Sequence, residues 1–117
     1  MEASSANSRA PKHTLMFIQF NELRRTRTYM HFESVSDALD GLCQLYEEKL
    51  QQGSPEMVAQ QTAQPRTLDA LFRYVDGFQD MGVLVYTPAI DGYRPYNREW
   101  VKEKLYEHLR RAGRVYA

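Results

Sequence analysis

"HTLMFIQF", residues 13 to 20, carries two alternating rows that between them constrain the architecture. Met16, Ile18 and Phe20 make one alternating row, and Leu15, Phe17 and Gln19 make the other. A strand with one wet face alternates apolar with polar, whereas this one is largely apolar on both rows. It therefore predicts a strand covered on both sides. The wholly apolar Met16, Ile18, Phe20 row suits a core packed by helices. The row carrying Gln19 suits the less uniform setting of an interface, so Leu15, Phe17 and Gln19 are the candidate contacts with a second chain.

Outward from this strand, "NELRRTR" reads as a turn, and "TYMHFE" (28–33) as a second, aromatic-rich strand. Ser34 opens a helix, with Asp37 at capping-box spacing and an apolar stripe of Val35, Leu39, Leu42, Cys43, Tyr46 and Leu50. Gly53, Ser54 and Pro55 stop it, and the Gln-rich residues 51–66 read as an exposed connection. Thr67 caps a second helix with Leu68, Leu71, Phe72, Val75 and Phe78 inward, predicted to end near Gly82. "VLVYT" (83–87) and "GYRPYN" (92–97) read as strands, and Asp91-Gly92 between them is a hairpin signal. Asn97 caps the last helix, whose inward stripe is Trp100 or Val101, Leu105, His108 or Leu109, and Ala112, with Gly113 at its end. Glu99 in its first turn and Arg110 and Arg111 in its last suit the helix dipole.

The order is β-β-α-α-β-β-α. Sequential hairpins imply an α+β fold, a four-stranded antiparallel sheet with three helices on one face. The other face then needs a cover, and a second copy is the simplest, with the sheets of two chains packed in a homodimer. One domain spans 13–113, between a polar tail at 1–12 and a short tail at 114–117.

Composition narrows function further. Lys+Arg and Asp+Glu both total 15, so the chain lacks the basic excess expected of a protein that mainly holds phosphate backbone. No apolar run spans a bilayer and no charged-then-apolar leader opens the sequence. The single cysteine, Cys43, falls on an apolar helix stripe and reads as a buried, inert thiol in a reducing compartment. With three scattered histidines (His13, His31, His108) it makes no zinc pattern. Glu47-Glu48 and Glu99-Glu103 read as solvated helix faces, and the glycines form no phosphate-cradling loop. The sequence therefore predicts no enzyme, no catalytic residue, no metal and no cofactor. Two basic groups remain, Arg24, Arg25 and Arg27, and Arg110, Arg111 and Arg114. They read as solubility and helix-end electrostatics, with direct RNA binding as the alternative function. Ser34 also matches an acidic-directed kinase site through Asp37, where a phosphate would perturb the helix start.

In "RPYNREWVKEKLYEHLRR" (94–111), Pro95 cannot donate to a ladder, so its strand is predicted at a sheet edge. Tyr93, Arg94, Tyr96 and Trp100 around it are the candidate partner-binding residues, rigid rings plus a cation for an acidic partner.

Two blocks, "RTYMHFESVSDALDGLCQLYEEKL" (27–50) and "LVYTPAIDGYRPYNREWVKEKLYEHLRR" (84–111), resemble the enhancer of rudimentary homolog family. The matching motifs are Arg27-Thr28-Tyr29, Glu33-Ser34-Val35, Tyr46-Glu47-Glu48, Tyr93 to Asn97 and Trp100 to Lys104. The resemblance implies the same β-β-α-α-β-β-α order and a homodimer built by packing two sheets. It implies a non-enzymatic adaptor of the nucleus and cytoplasm that binds short segments of RNA-processing proteins, with RNA held only indirectly. The chain departs from the pattern in its longer front, its middle loop and Met30-His31-Phe32, where a more polar strand is usual. That drift puts partner identity, not fold, in question.

Overall fold

The computed structural model describes residues 13–51 and 67–112. Four strands, β1 (Thr14–Gln19), β2 (Arg27–Phe32), β3 (Asp80–Thr87) and β4 (Gly92–Tyr96), form one antiparallel sheet in the order β2-β1-β3-β4. Three helices, α1 (Val35–Gln51), α2 (Leu68–Asp76) and α3 (Arg98–Ala112), complete the predicted order. The expected tails, most of the 51–66 connection and the Gly113 stop lie outside the described residues.

Each helix begins where a side chain can take up an orphan backbone donor. Ser34 Oγ accepts from the Asp37 amide at 3.1 Å, Thr67 Oγ1 from Ala70 at 3.0 Å, and Asn97 Oδ1 from Trp100 at 3.0 Å. The apolar stripes then meet one face of the sheet. Met16 and Ile18 from β1 and Met81 and Val83 from β3 are buried with Leu39, Leu42, Cys43, Tyr46, Leu71, Val75, Val101, Leu105 and Leu109 in a single core. The choice left open along α3 resolves to Val101 and Leu109, which are buried, while Trp100 and His108 are half-buried. His108 Nε2 instead lies 2.8 Å from Asp40 Oδ1, tying α3 to α1.

Two expectations need correction. Phe20 does not continue the inward row: β1 ends at Gln19, and Phe20 is 37% exposed with its ring edge-on to Phe78 at 5.4 Å. Nor does α2 run to Gly82. It ends at Asp76, where Gly77 caps it, and Phe78 is buried from the following turn. Gly82 lies inside β3, opposite Phe17. The hairpin signalled by Asp91-Gly92 is present and joins β3 to β4. Thr87 pairs with Gly92, and a 3-10 turn over Pro88–Ile90 leads into Asp91. Among the described non-glycine residues only Asp91 carries positive φ (47°), a conformation Asp tolerates, and its carboxylate accepts from Tyr86 Oη at 2.6 Å.

Candidate interaction surfaces

The helices leave the second face of the sheet open. The strand register puts Leu15 beside His31 and Leu84, Phe17 beside Tyr29 and Gly82, Leu84 beside Pro95, and Tyr86 beside Tyr93. Side chains alternate along a strand, so all of these share the face opposite Met16 and Ile18. Leu15, Phe17 and Leu84 are half-buried and Tyr29 is 58% exposed. Phe17 lies across Gly82, where a Cβ would meet its ring at 2.8 Å. Beside it, Phe17, Leu84, Pro95 and Tyr96 line a shallow cavity of about 400 Å³.

Gln19, the polar member of the row, is 7% exposed and engaged within its own chain. Its amide nitrogen donates to the Asn21 carbonyl at 2.9 Å, and its oxygen accepts from Arg27 at 2.9 and 3.1 Å. Arg27 also pairs with Asp80 at 3.1 Å and sits over the Phe17 ring at 5.2 Å. One end of the face is thus closed by a polar network, and the middle is apolar.

The four residues proposed for partner contact fall on two sides of β4. Tyr93 is on the open face, exposed, its ring 5.6 Å from Tyr86. The hydrogen bond from the neighbouring Tyr86 phenol to Asp91 raises its pKa above the usual phenol value, with slight desolvation and the Asp91 charge adding to it. Arg94 and Tyr96 alternate to the helix side, opposite Val85 and Val83. Tyr96 is half-buried and stacked on Trp100, centroids 4.1 Å apart and planes 18° from parallel. Trp100, with Lys104 over its ring at 5.7 Å, forms a wall of a groove of about 290 Å³ between α1 and α3, floored by Val35 and Leu39. The structure therefore joins Tyr96 to Trp100 and separates both from Tyr93.

Sequence reasoning missed Tyr29, Leu84, Tyr86 and Pro95 as members of the open face. The alternation in "VLVYT" carries Leu84 and Tyr86, but the register that sets them beside Pro95 and Tyr93 is not in the pattern. The basic groups are partly engaged: Arg27 as above, and Arg110 over the Tyr106 ring at 5.7 Å. Among the described residues no cluster of His, Cys, Asp or Glu could hold a metal, and no helix is long and apolar enough to cross a membrane.

The profile of the family described as "Enhancer of rudimentary" matches residues 10–114. The chain belongs to the enhancer of rudimentary family. It is 37% identical over 108 residues to the "Enhancer of rudimentary homolog" of Arabidopsis thaliana, covering 91% of this chain and 94% of that protein. It is 37% identical over 99 residues to the Dictyostelium discoideum homolog, covering 85% of this chain and 95% of that one. The "Protein enhancer of rudimentary" of Drosophila virilis is 36% identical over 101 residues, 86% of this chain and 93% of the relative. The family is non-catalytic, and the expectation of no enzyme stands on that membership.

Proposed function

We propose that this enhancer of rudimentary protein is a homodimeric adaptor, present in nucleus and cytoplasm. It holds short segments of RNA-processing proteins and assembles them for mRNA or small-RNA processing. The observation that carries this reading is the open sheet face: all three helices pack on one side, while Leu15, Phe17, Leu84, Tyr29 and Pro95 stand on the other. A second copy, related by a two-fold axis, covers such a face with an identical one. Leu15 and Phe17 meet their symmetry mates, and Gln19, already hydrogen-bonded, lies at the rim.

Partner segments dock around β4, against Tyr93 on its open face and against Arg94 and the Tyr96–Trp100 stack on its helix side. Two identical sites let one dimer bridge two partners and raise avidity with no new contact. RNA is held through those partners. The engagement of Arg27 by Gln19, Asp80 and Phe17 supports that reading over direct phosphate binding.

The test is a pull-down from native extract, with and without nuclease, using the wild type and a Tyr93→Ala/Arg94→Glu variant. Proteins that survive nuclease on the wild type and are lost from the folded variant support the adaptor and its site. A set of partners that disappears with nuclease contradicts the adaptor. One that survives nuclease and is unchanged in the variant contradicts the site alone.

A further inference from the structure

The two edges of the sheet differ in what they offer a neighbour. Along β1, the carbonyls of His13 and Gln19 accept from the amides of Tyr86 and Gln79. Odd-numbered residues of β1 therefore aim their backbone groups at β3, and even-numbered ones at β2. The β2 partners of the even residues, Thr28, Met30 and Phe32, make that ladder. The backbone groups of Tyr29 and His31 consequently point outward, where the sheet has no further strand among the described residues. The same logic on the far side starts from Tyr86, whose amide faces β1, so Val83, Val85 and Thr87 face β4 and ladder with Tyr96, Arg94 and Gly92. Tyr93 and Pro95 then occupy the outer edge of β4, and Pro95 has no N–H to give.

Edges are usually guarded by proline, lysine or a bulge. β4 carries its proline at the outward position. β2, "RTYMHF", has six continuous pairs, no proline and no lysine. Arg27, its one basic member besides the imidazole of His31, is held by Gln19 and Asp80. Thr28, Tyr29 and His31 are exposed. From these observations we infer that the outer edge of β2 receives an added antiparallel strand from a partner protein. That segment is extended, has apolar residues at alternate positions and carries acidic residues at its C-terminal end.

The chemistry of the occupant follows from what flanks the edge. Alternate side chains of an added strand lie beside the half-buried Met30 and Phe32 on the helix side, which favours apolar residues there. In antiparallel pairing its C-terminal end reaches the start of β2. Arg24 and Arg25 stand exposed there, against one exposed acid in that turn, Glu22. Complementary charge at that end fixes direction and register, which backbone bonds alone leave free. The edge lies apart from the β4 site and belongs to the single chain. A face-to-face dimer leaves it uncovered, so this inference can fail while the adaptor reading stands, and the reverse.

A displayed library of random-sequence peptides, selected on the full chain, tests it. The expected winners alternate apolar and polar residues over a strand length and end in Asp or Glu. With a winning peptide bound, the amides of Tyr29 and His31 gain protection from hydrogen exchange, while those of Thr28, Met30 and Phe32 are already protected in the free protein. His31→Pro removes an outward N–H and no bond of the existing ladder, and lowers affinity about tenfold or more, whereas His31→Thr retains that N–H. Arg24→Glu/Arg25→Glu weakens binding and flattens its salt dependence. Should His31→Pro fail to fold, exchange on the wild type still decides. The inference is overturned if winning peptides leave the Tyr29 and His31 amides unprotected, or bind folded His31→Pro as tightly as wild type. It is also overturned if His31→Pro splits a two-chain particle, since the edge would then belong to a second copy.

Discussion

Gly82→Ala puts the geometry of the open face to a quantitative test. Gly82 is buried in β3, and a Cβ there points at the face opposite the helices, 2.8 Å from Cε1 and 3.1 Å from Cζ of Phe17. It also stands 3.1 Å from the Tyr96 carbonyl oxygen across the sheet. The ring is the softer obstacle, because Phe17 is only half-buried and can turn about χ1. Full burial of a Phe is worth about 1.5–3 kcal/mol, so turning this half-covered ring outward costs about 1 kcal/mol. Replacing glycine within a strand returns about 0.5–1 kcal/mol of backbone entropy. The two nearly cancel, and folding stability of the isolated chain is expected to change by less than about 1 kcal/mol. Self-association is expected to suffer more, because the displaced ring belongs to the proposed contact surface. A weakening of about tenfold or greater corresponds to about 1.4 kcal/mol. Urea unfolding and sedimentation equilibrium, each over a range of protein concentrations, separate the two effects. Two results refute the reasoning: a loss of folding stability beyond about 3 kcal/mol, which would mean that the Tyr96 backbone and not the ring decides, or unchanged self-association.

Two further predictions concern the frame that presents the face. Leu105→Ala removes a fully buried side chain from the α3 stripe and is expected to cost about 2–5 kcal/mol by chemical denaturation, a core loss with no surface component. Tyr86 and Tyr74 are expected to titrate above the ordinary phenol value of 10.0, Tyr86 through its hydrogen bond to Asp91 and Tyr74 through burial and the Glu48 charge. In each case the folded state favours the neutral phenol. The associated stability is present at neutral pH and is lost as pH rises from the ordinary value through the raised one, which NMR titration of the tyrosine rings and unfolding at alkaline pH check together.

The elements were legible because each rests on a local signal. Period-two rows marked β1, stripes at steps of three and four marked α1 and α3, and Ser34, Thr67 and Asn97 each cap the helix they precede. What failed depended on distant geometry. Phe20 continued the apolar row in sequence, yet the chain leaves the sheet at Gln19, whose side chain binds Asn21 and Arg27. The end of α2 was misplaced because Phe78 keeps helical spacing although it is buried from a turn, and because Gly82 serves as clearance for Phe17, not as a stop. The candidate site was legible only as a list. That Tyr93 faces away from Tyr96 follows from alternation in β4, but the stacking of Tyr96 on Trp100 requires the angle at which α3 leaves the sheet. The asymmetry of the two edges was half visible: Pro95 marked one, and nothing in "RTYMHF" announced that its outer amides would be left open.

The account depends most on the open face being the surface that joins two chains. Leu15→Arg together with Phe17→Arg places two charges on that face without touching the buried Met16 and Ile18 row. Light scattering on the purified chain decides the matter. The prediction is a two-chain mass for the wild type and a one-chain mass for a double variant that keeps its helical and strand content, because unpaired charge buried against a second sheet is strongly unfavourable. A two-chain mass for that folded variant, or a one-chain mass for the wild type at concentrations well above those in the assay of partners, would contradict it.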